Sequence, residues 1–346
     1  MLPEELAAHL RKQGIAVRDA EARRVVAHAV ANGRGGYPVS RPVPRAVEQA
    51  IDALVDRRDL EIVERATDPS DGFVKYLFRL HDGALAEAVR IPLEVPGRFT
   101  VCLSSQAGCA MACDFCATGR LGLIRSLEPW EIVAQFLAVR GEAPGEVTGA
   151  VFQGQGEPLH NYANVVRAAE ILGHPCGGRI SSKAITISTV GLVPAIHRYA
   201  REGHPYRLIV SLTSAIDARR RSLVSAASAW PVSELAEAVR VYQRAHGGRV
   251  TVAWVVLGGI NTGRDEVEAL REHFHGIPLR LNLIDVNDAR EDGYRRATEE
   301  ELNTFRDQLR TLGIPVVRRY SGGAAKHAAC GMLASVAEGA SPPLSS

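Results

Sequence analysis

Cys109-Ala-Met-Ala-Cys113-Asp-Phe-Cys116 sets three thiols at C-x3-C-x2-C spacing. Thiolates are soft donors that suit iron–sulfur clusters and zinc. Three of them on one tight loop can hold three corners of a cubane. With no fourth cysteine in the loop, one iron stays open to a ligand that is not protein. Structural zinc takes four protein ligands, usually as C-x2-4-C pairs. No second pair occurs in this chain, so the spacing favours the cluster.

Around that loop the chain alternates in character. Residues 99–104, 147–153, 184–189, 207–213, 249–257 and 279–285 are short β-branched runs, and the first leads directly into the cysteine loop. Helical patterns such as 129–140, 193–200, 232–245 and 265–273 lie between them. Six strand–helix units predict a parallel α/β sheet, most simply a partial barrel, with its site at the carboxyl ends of the strands. A further run, 315–320, leads into Ser321-Gly-Gly-Ala-Ala325 and Cys330, on a loop expected to turn into a helix.

Upstream, residues 60–65, 73–80 and 85–93 read as strands, with Asp82-Gly83 as a hairpin turn. Residues 1–58 read as helical. Leu2, Leu6 and Leu10 recur at four-residue steps, Val25, Val26 and Val30 follow Asp19 as N-cap, and Pro44 opens a third helix with Val47, Ile51, Leu54 and Val55. Gly33, Gly35, Gly36 and Pro38 break the pattern. The expected units are thus 1–58 (helical accessory), 59–96 (β-hairpin extension), 97–320 (partial barrel) and 321–346.

The bulk properties exclude little. A chain of 346 residues with 46% hydrophobic content can bury a large core, and a net charge of +2 permits an anionic partner without announcing one. Six cysteines, three of them clustered, suit a reducing compartment with metal. The absence of a signal-like start or a long apolar run predicts a cytoplasmic protein with no membrane contact.

Other residues gather at the predicted rim. Gly154-Gln-Gly-Glu-Pro158 ends the second run, and Glu157 is an acceptor suited to an ammonium group. Ser188, Ser211 and Thr213 add hydroxyls at the ends of the third and fourth runs. Such hydroxyls as often cap loops as bind ligands. Cys102 and Cys330 stand apart from the trio and could be ordinary buried thiols. Arg219, Arg220 and Arg221 offer either an RNA contact or a solvated helix face.

The stretch from Thr100 to Gly119 closely resembles the signature of the RlmN/Cfr family of radical S-adenosylmethionine (SAM) RNA methyltransferases. The resemblance extends to Lys75-Tyr-Leu-Phe-Arg-Leu-His-Asp-Gly83, Glu87-Ala-Val-Arg-Ile-Pro92, the Gly-Glu-Pro turn, Ile187-Ser-Thr-Val-Gly-Leu-Val-Pro194 and Ala328-Ala-Cys-Gly331. It implies a partial (β/α)6 radical-SAM barrel and methylation of an sp2 carbon of adenine in rRNA or tRNA, C2 before C8. It further implies a [4Fe-4S] cluster on Cys109, Cys113 and Cys116 and two SAM molecules per turnover. Cys330 would carry the methyl group, Cys102 would release the product and form a disulfide with Cys330, and Glu87 would be the acid/base. Gly156, Glu157, Ser188, Ser211, Thr213 and Asn287 match the SAM contacts. A flavodoxin- or ferredoxin-type donor and a monomeric enzyme are expected.

The sequence also departs from the family. Gln153 and Gln155 stand where methionines are usual, and Ser211-Leu-Thr-Ser-Ala215 replaces Ser-Leu-His-Ala-Pro. Asp285-Val-Asn-Asp288 replaces Pro-x-Asn-Pro, and Gly322-Gly-Ala-Ala-Lys326 replaces a basic–Gly–acidic stretch. The alternatives are the same two-cysteine chemistry on a small molecule or peptide, and a metal-binding protein that is no enzyme.

Overall fold

Leu6, Ala7, Leu10, Val25, Val47 and Ile51 form one apolar cluster, and it folds three short helices on one another: α1 (Pro3–Lys12), α2 (Asp19–Asn32) and α3 (Arg45–Leu54). The computed structural model describes residues 1–32, 37, 42–56, 59–288, 290, 293–319 and 322–334. The predicted breakers Gly33, Gly35, Gly36 and Pro38 lie outside the described residues, as do Tyr320 and Ser321. Asp19 is the first residue of α2 and not its cap. Glu21 instead accepts the Arg18 backbone N–H at 2.8 Å. The helical unit is tied to the rest of the chain by the Arg167–Glu5 ion pair and by Arg140, whose Nη2 donates to the Val30 carbonyl at 2.6 Å.

Strands β1 (Glu61–Thr67), β2 (Val74–Arg79) and β3 (Leu85–Pro92) make an antiparallel meander. Gly83, at φ +87°, turns β2 into β3, and the Leu80 N–H donates to the Ala84 carbonyl at 2.8 Å. β3 pairs antiparallel with β4 (Arg98–Leu103), so the meander extends the same sheet as the barrel strands. A small hairpin, β5 (Gln106–Gly108) with β6 (Leu123–Ser126), encloses the cysteine loop and the one-turn helix α4 (Ala117–Arg120). Then come α5 (Pro129–Gly141), β7 (Glu146–Phe152), α6 (Tyr162–Gly173), β8 (Ile185–Thr189), α7 (Val193–Glu202), β9 (Arg207–Ser211), α8 (Asp217–Leu223) and α9 (Val232–His246). The remainder is β10 (Val250–Val256), α10 (Arg264–Phe274), β11 (Leu279–Asp285), α11 (Glu299–Arg310) and β12 (Val316–Arg319).

From β4 through β7, β8, β9, β10 and β11 to β12 every neighbouring pair is parallel. This is the partial barrel of six strand–helix units, with β12 as a closing strand. Side-chain alternation explains it. Phe99, Val101 and Leu103 of β4, Leu208 and Val210 of β9, and Val252, Trp254 and Val256 of β10 face the helices and build the main core. The intervening positions face inward and are small or polar at their carboxyl ends: Cys102, Ser188, Ser211. Emptying the outer layer would be costly, since a fully buried aromatic such as Phe152 cut to alanine typically loses about 3–5 kcal/mol. Among the described residues, no helix is long and apolar enough to cross a membrane.

Two expectations are corrected. The run 207–213 ends as a strand at Ser211, because Thr213 adopts φ +61°. Beyond Cys330 the described chain does not turn into a helix. Positive φ at His327 and Gly331, on either side of Cys330, leaves the segment in turns.

Candidate active site

One cavity opens at the carboxyl ends of the barrel strands, and all five cysteines of the predicted relay line it: Cys102, Cys109, Cys113, Cys116 and Cys330. The trio is shaped locally. Gly108 takes φ +74°, and a Cβ there would stand 2.0 Å from the Gly122 carbonyl oxygen, so only glycine lets the hairpin close. That carbonyl accepts the Cys109 N–H at 2.8 Å. Ala112, at φ +47°, turns the loop inward, and the Cys116 N–H returns to the Cys113 carbonyl. From behind, Val224 bridges Cys113 and the Leu223 carbonyl accepts the Asp114 N–H at 3.0 Å.

Cys109 and Cys113 are buried, which pushes the Cys109 thiol up to about 12 and raises Cys113 well above the ordinary thiol range. Without metal these are neutral thiols, and a bound cation would displace their protons. Among the described residues no three cysteine, histidine or acid side chains close on a single metal ion, whereas three sulfurs spread along one loop wall of a cavity suit the wider spacing of a cubane's corners.

The Gly-Glu-Pro turn lies beside them. Gly156, at φ +97°, packs so closely on Gln106 that a Cβ would meet its side chain at 2.5 Å. Glu157 is 2% exposed. Its two oxygens accept the Leu159 N–H at 2.9 Å and the Val190 N–H at 2.8 Å, and burial pushes its pKa up to about 7. Among the described residues no lysine or arginine pairs with it. A buried carboxylate that lacks a cation suits the ammonium group of an amino acid moiety such as that of SAM.

Ser188, Ser211, Thr213 and Asn287 share the cavity wall. The Ser188 and Ser211 Oγ atoms are 3.3 Å apart. Thr213 is a β-branched residue in the left-handed region, a conformation that typically stores about 1–3 kcal/mol. The buried amide of Asn261 holds it there, donating to the Thr213 and Val255 carbonyls at 2.7 Å each while its oxygen accepts the Leu257 N–H. Asn287 donates weakly to the Cys330 carbonyl at 3.5 Å.

Cys102 sits on β4 between Val89 and Val151, under Ala328 and Leu333. Burial raises Cys102 to about 12. Cys330 is open to the cavity on a loop fastened on two sides. Asp71 accepts the Gly323 N–H at 2.7 Å, the Gly331 carbonyl accepts the Ala117 N–H at 2.7 Å, and the Thr118 hydroxyl donates to the Leu333 carbonyl at 2.5 Å. All six cysteines are free thiols, so no Cys102–Cys330 disulfide is present. Arg319, at the end of β12, lines the same wall, and its charge counters part of the effect of burial on Cys102.

Glu87 is the exception among the predicted residues. It is fully buried on β3 and does not line the cavity. Its carboxylate pairs with Lys75 Nζ at 2.9 Å and accepts from Gln155 Nε2 at 3.2 Å. The arginine run is also corrected. Arg219 pairs with Asp265 at 2.8 Å and Glu266 at 2.6 Å, Arg220 is buried, and only Arg221 is exposed. Sequence reasoning passed over Arg319, Asn261, Asp71 and Thr118. No motif spacing marks them, because they act through contacts between distant segments.

Comparison with known proteins agrees with this geometry. The family described as the Radical SAM superfamily matches residues 103–274. The chain is 51% identical to a probable RNA methyltransferase of Anaeromyxobacter sp. (strain Fw109-5), over 97% of this chain and 98% of the relative. It is 38% identical to a dual-specificity RNA methyltransferase RlmN of the same strain, over 84% and 78%. A crystal structure of a radical SAM methyltransferase from Sphaerobacter thermophilus superposes with a TM-score of 0.88 at 35% identity, covering 96% of this chain and 97% of that one.

Proposed function

Since the chain belongs to the RlmN family of radical-SAM RNA methyltransferases, we propose that it methylates an sp2 carbon of adenine in RNA through a methyl group carried on Cys330. The supporting observation is that Cys102 and Cys330 line one cavity with the thiol trio. When bound, the cluster and two molecules of SAM per turnover would supply the methyl group and the one-electron chemistry. Cys109, Cys113 and Cys116 hold the cluster. Glu157 receives the ammonium group of SAM, with Gly156, Ser188, Ser211, Thr213 and Asn287 around the rest.

The chain's own sulfurs then divide the work. An amidine-type ring carbon is electrophilic, so direct transfer from a sulfonium ion fails, and the methyl must be parked beside the radical source. Cys330 takes that methyl as a thioether. Once the methyl carbon has added to the base, Cys330 holds the covalent adduct. After the adduct has given up one electron and the proton of the ring carbon, Cys102 attacks the Cys330 sulfur as a thiolate. The carbon–sulfur bond breaks with its electron pair going to the carbon, which takes a proton to become the methyl group. A Cys102–Cys330 disulfide remains, to be reduced by two electrons from an external donor before the next turnover. Arg319 beside both thiols favours the thiolate of Cys102. We place the acid/base function with Glu87 only through Gln155, since Gln155 is what links it to the Gly-Glu-Pro turn. The enzyme works as a cytoplasmic monomer fed by a flavodoxin- or ferredoxin-type donor, and C2 is the favoured carbon.

A second observation bears on the substrate. One Anaeromyxobacter strain holds both an RlmN relative and a separate probable RNA methyltransferase that resembles this chain more closely. Two enzymes for one nucleotide would be redundant, so we assign this chain an RNA position other than that of the RlmN relative. The test is anaerobic incubation with SAM, reductant and total RNA from a host lacking both genes, followed by nucleoside mass spectrometry and mapping. Methyladenosine at a position distinct from the RlmN product is expected. Deoxyadenosine release with unmodified RNA would overturn the RNA reading in favour of a small-molecule or peptide substrate.

A further inference from the structure

Arg220, on α8, is 2% exposed, yet it has no carboxylate partner among the described residues. Its neighbour Arg219 shows the contrast, with two acids at 2.8 Å and 2.6 Å. The Arg220 guanidinium donates once, from Nη2 to the Val190 carbonyl. Its Nε is buried with no acceptor at all. A buried charge left in this state is strongly destabilising, and an unmet N–H adds to it. Such a group calls for an anion that the polypeptide alone does not provide.

The surroundings say which anion. The last turn of α8 runs from Arg220 to Val224 through the Val224 N–H and the Arg220 carbonyl, and Val224 bridges Cys113. The backbone of Arg220 thus reaches Cys113 through Val224, and its guanidinium lies on Val190, which packs with Cys113 and Val224 in one cluster, while Arg220 itself does not line the cavity. Burial draws the arginine down to about 10, which shows how poorly its charge is met by the polypeptide around it. Neutral thiols leave the arginine unbalanced, whereas three thiolates around a cubane carry a net negative charge that it would balance.

We infer that Arg220 is the built-in counter-charge of the cluster, a positioning residue that acts through Cys113 to ease one-electron reduction. The inference rests on the cluster reading given under Proposed function. In the step concerned, an external low-potential donor gives up one electron and the cluster gains it, becoming one unit more negative with no proton moved. The fixed guanidinium favours the more negative state and so raises the reduction potential.

The test uses the full chain, reconstituted anaerobically without SAM, as wild type, Arg220→Met and Arg220→Lys. Iron and sulfide per chain are measured first. Each cluster is then titrated with dithionite and mediator dyes and followed by absorbance and electron paramagnetic resonance. Arg220→Met is expected to keep its iron but to lower the reduced-to-oxidised ratio at a fixed potential about tenfold, or about 59 mV for one electron. Arg220→Lys, which keeps the charge, should stay near wild type. An unmoved potential in Arg220→Met overturns the inference, as does an equal shift in Arg220→Lys, which would mark a hydrogen-bonding role instead. Iron lost from Arg220→Met but kept by Arg220→Lys supports it; iron lost from both, with circular dichroism unchanged, overturns it. Should Arg220→Met not fold, Arg220→Gln takes its place in the same titration. A wild type that binds no iron would sink the cluster reading itself, a result distinct from all of these.

Discussion

The two sulfur-bearing walls of the cavity are built by opposite means. The trio's loop is closed by near neighbours in sequence: the β5–β6 hairpin, the Cys109–Gly122 and Cys113–Cys116 backbone bonds, and glycine where nothing larger fits. The Cys330 loop carries few such local bonds beyond its own turns. Asp71, Ala117, Thr118 and Asn287, from three remote segments, fasten it in place. The first wall is therefore shaped mainly by its own hairpin and braced from behind by Leu223 and Val224, while the second depends almost wholly on remote anchors. A metal site needs fixed ligand geometry, and a methyl carrier must reach two partners in turn. The difference matches the roles proposed for the two walls.

This contrast can be broken most sharply at the sulfurs. Cys113→Ala should reduce iron per chain to background and abolish deoxyadenosine formation. Cys330→Ala should keep its iron and lose RNA methylation alone. Iron analysis beside nucleoside mass spectrometry separates the two. Next in size is Arg125 on β6, which holds Glu131 at 2.7 Å and Asp82 at 2.5 Å. Arg125→Met leaves the fully buried Glu131 short of its main cation and should cost on the order of 3 kcal/mol in a urea titration. It should also loosen the trio's hairpin without touching the Cys330 loop.

Removing single fasteners of the Cys330 loop should do less. Thr118→Val and Asp71→Asn each weaken one bond worth about 1–2 kcal/mol. Methylation should fall several-fold, alkylation of Cys330 should quicken, and iron content should not change. Equal iron loss in these variants would erase the distinction between the walls. The smallest effect concerns pH. The Arg125 guanidinium holds Asp82 down to about 2. A depressed carboxylate contributes stability above its unfolded value, near 4, that is lost as pH falls towards 2. Wild type should lose at most about 1 kcal/mol more than Asp82→Asn across that window, because the pair is partly exposed.

How much of this was legible beforehand follows the same division. The strand–helix alternation, the Asp82-Gly83 hairpin and the trio were readable because spacing and side-chain period are local quantities. So was the rim position of Ser188 and Ser211, as strand ends. Arg220 was not: three consecutive arginines read alike, and only the packing of α8 on Cys113 buries one, pairs another and leaves the third in water. Glu87 matched a family motif and shares a face of β3 with the cavity-lining Val89 and Ile91, but Lys75 and Gln155 cover it. Thr298-Glu-Glu-Glu301 was a capping box in plain view at the start of α11, with Thr298 N–H donating to Glu301 at 2.8 Å.

The order in which the two walls appear along the chain has a consequence for biosynthesis. The trio emerges from the ribosome long before residue 330, and its hairpin can form without that later segment. Until the Asp71 and Thr118 anchor points receive their loop, the mouth above the thiols stays wide. If the trio holds the cluster as proposed, iron and sulfide can be delivered before the chamber is capped.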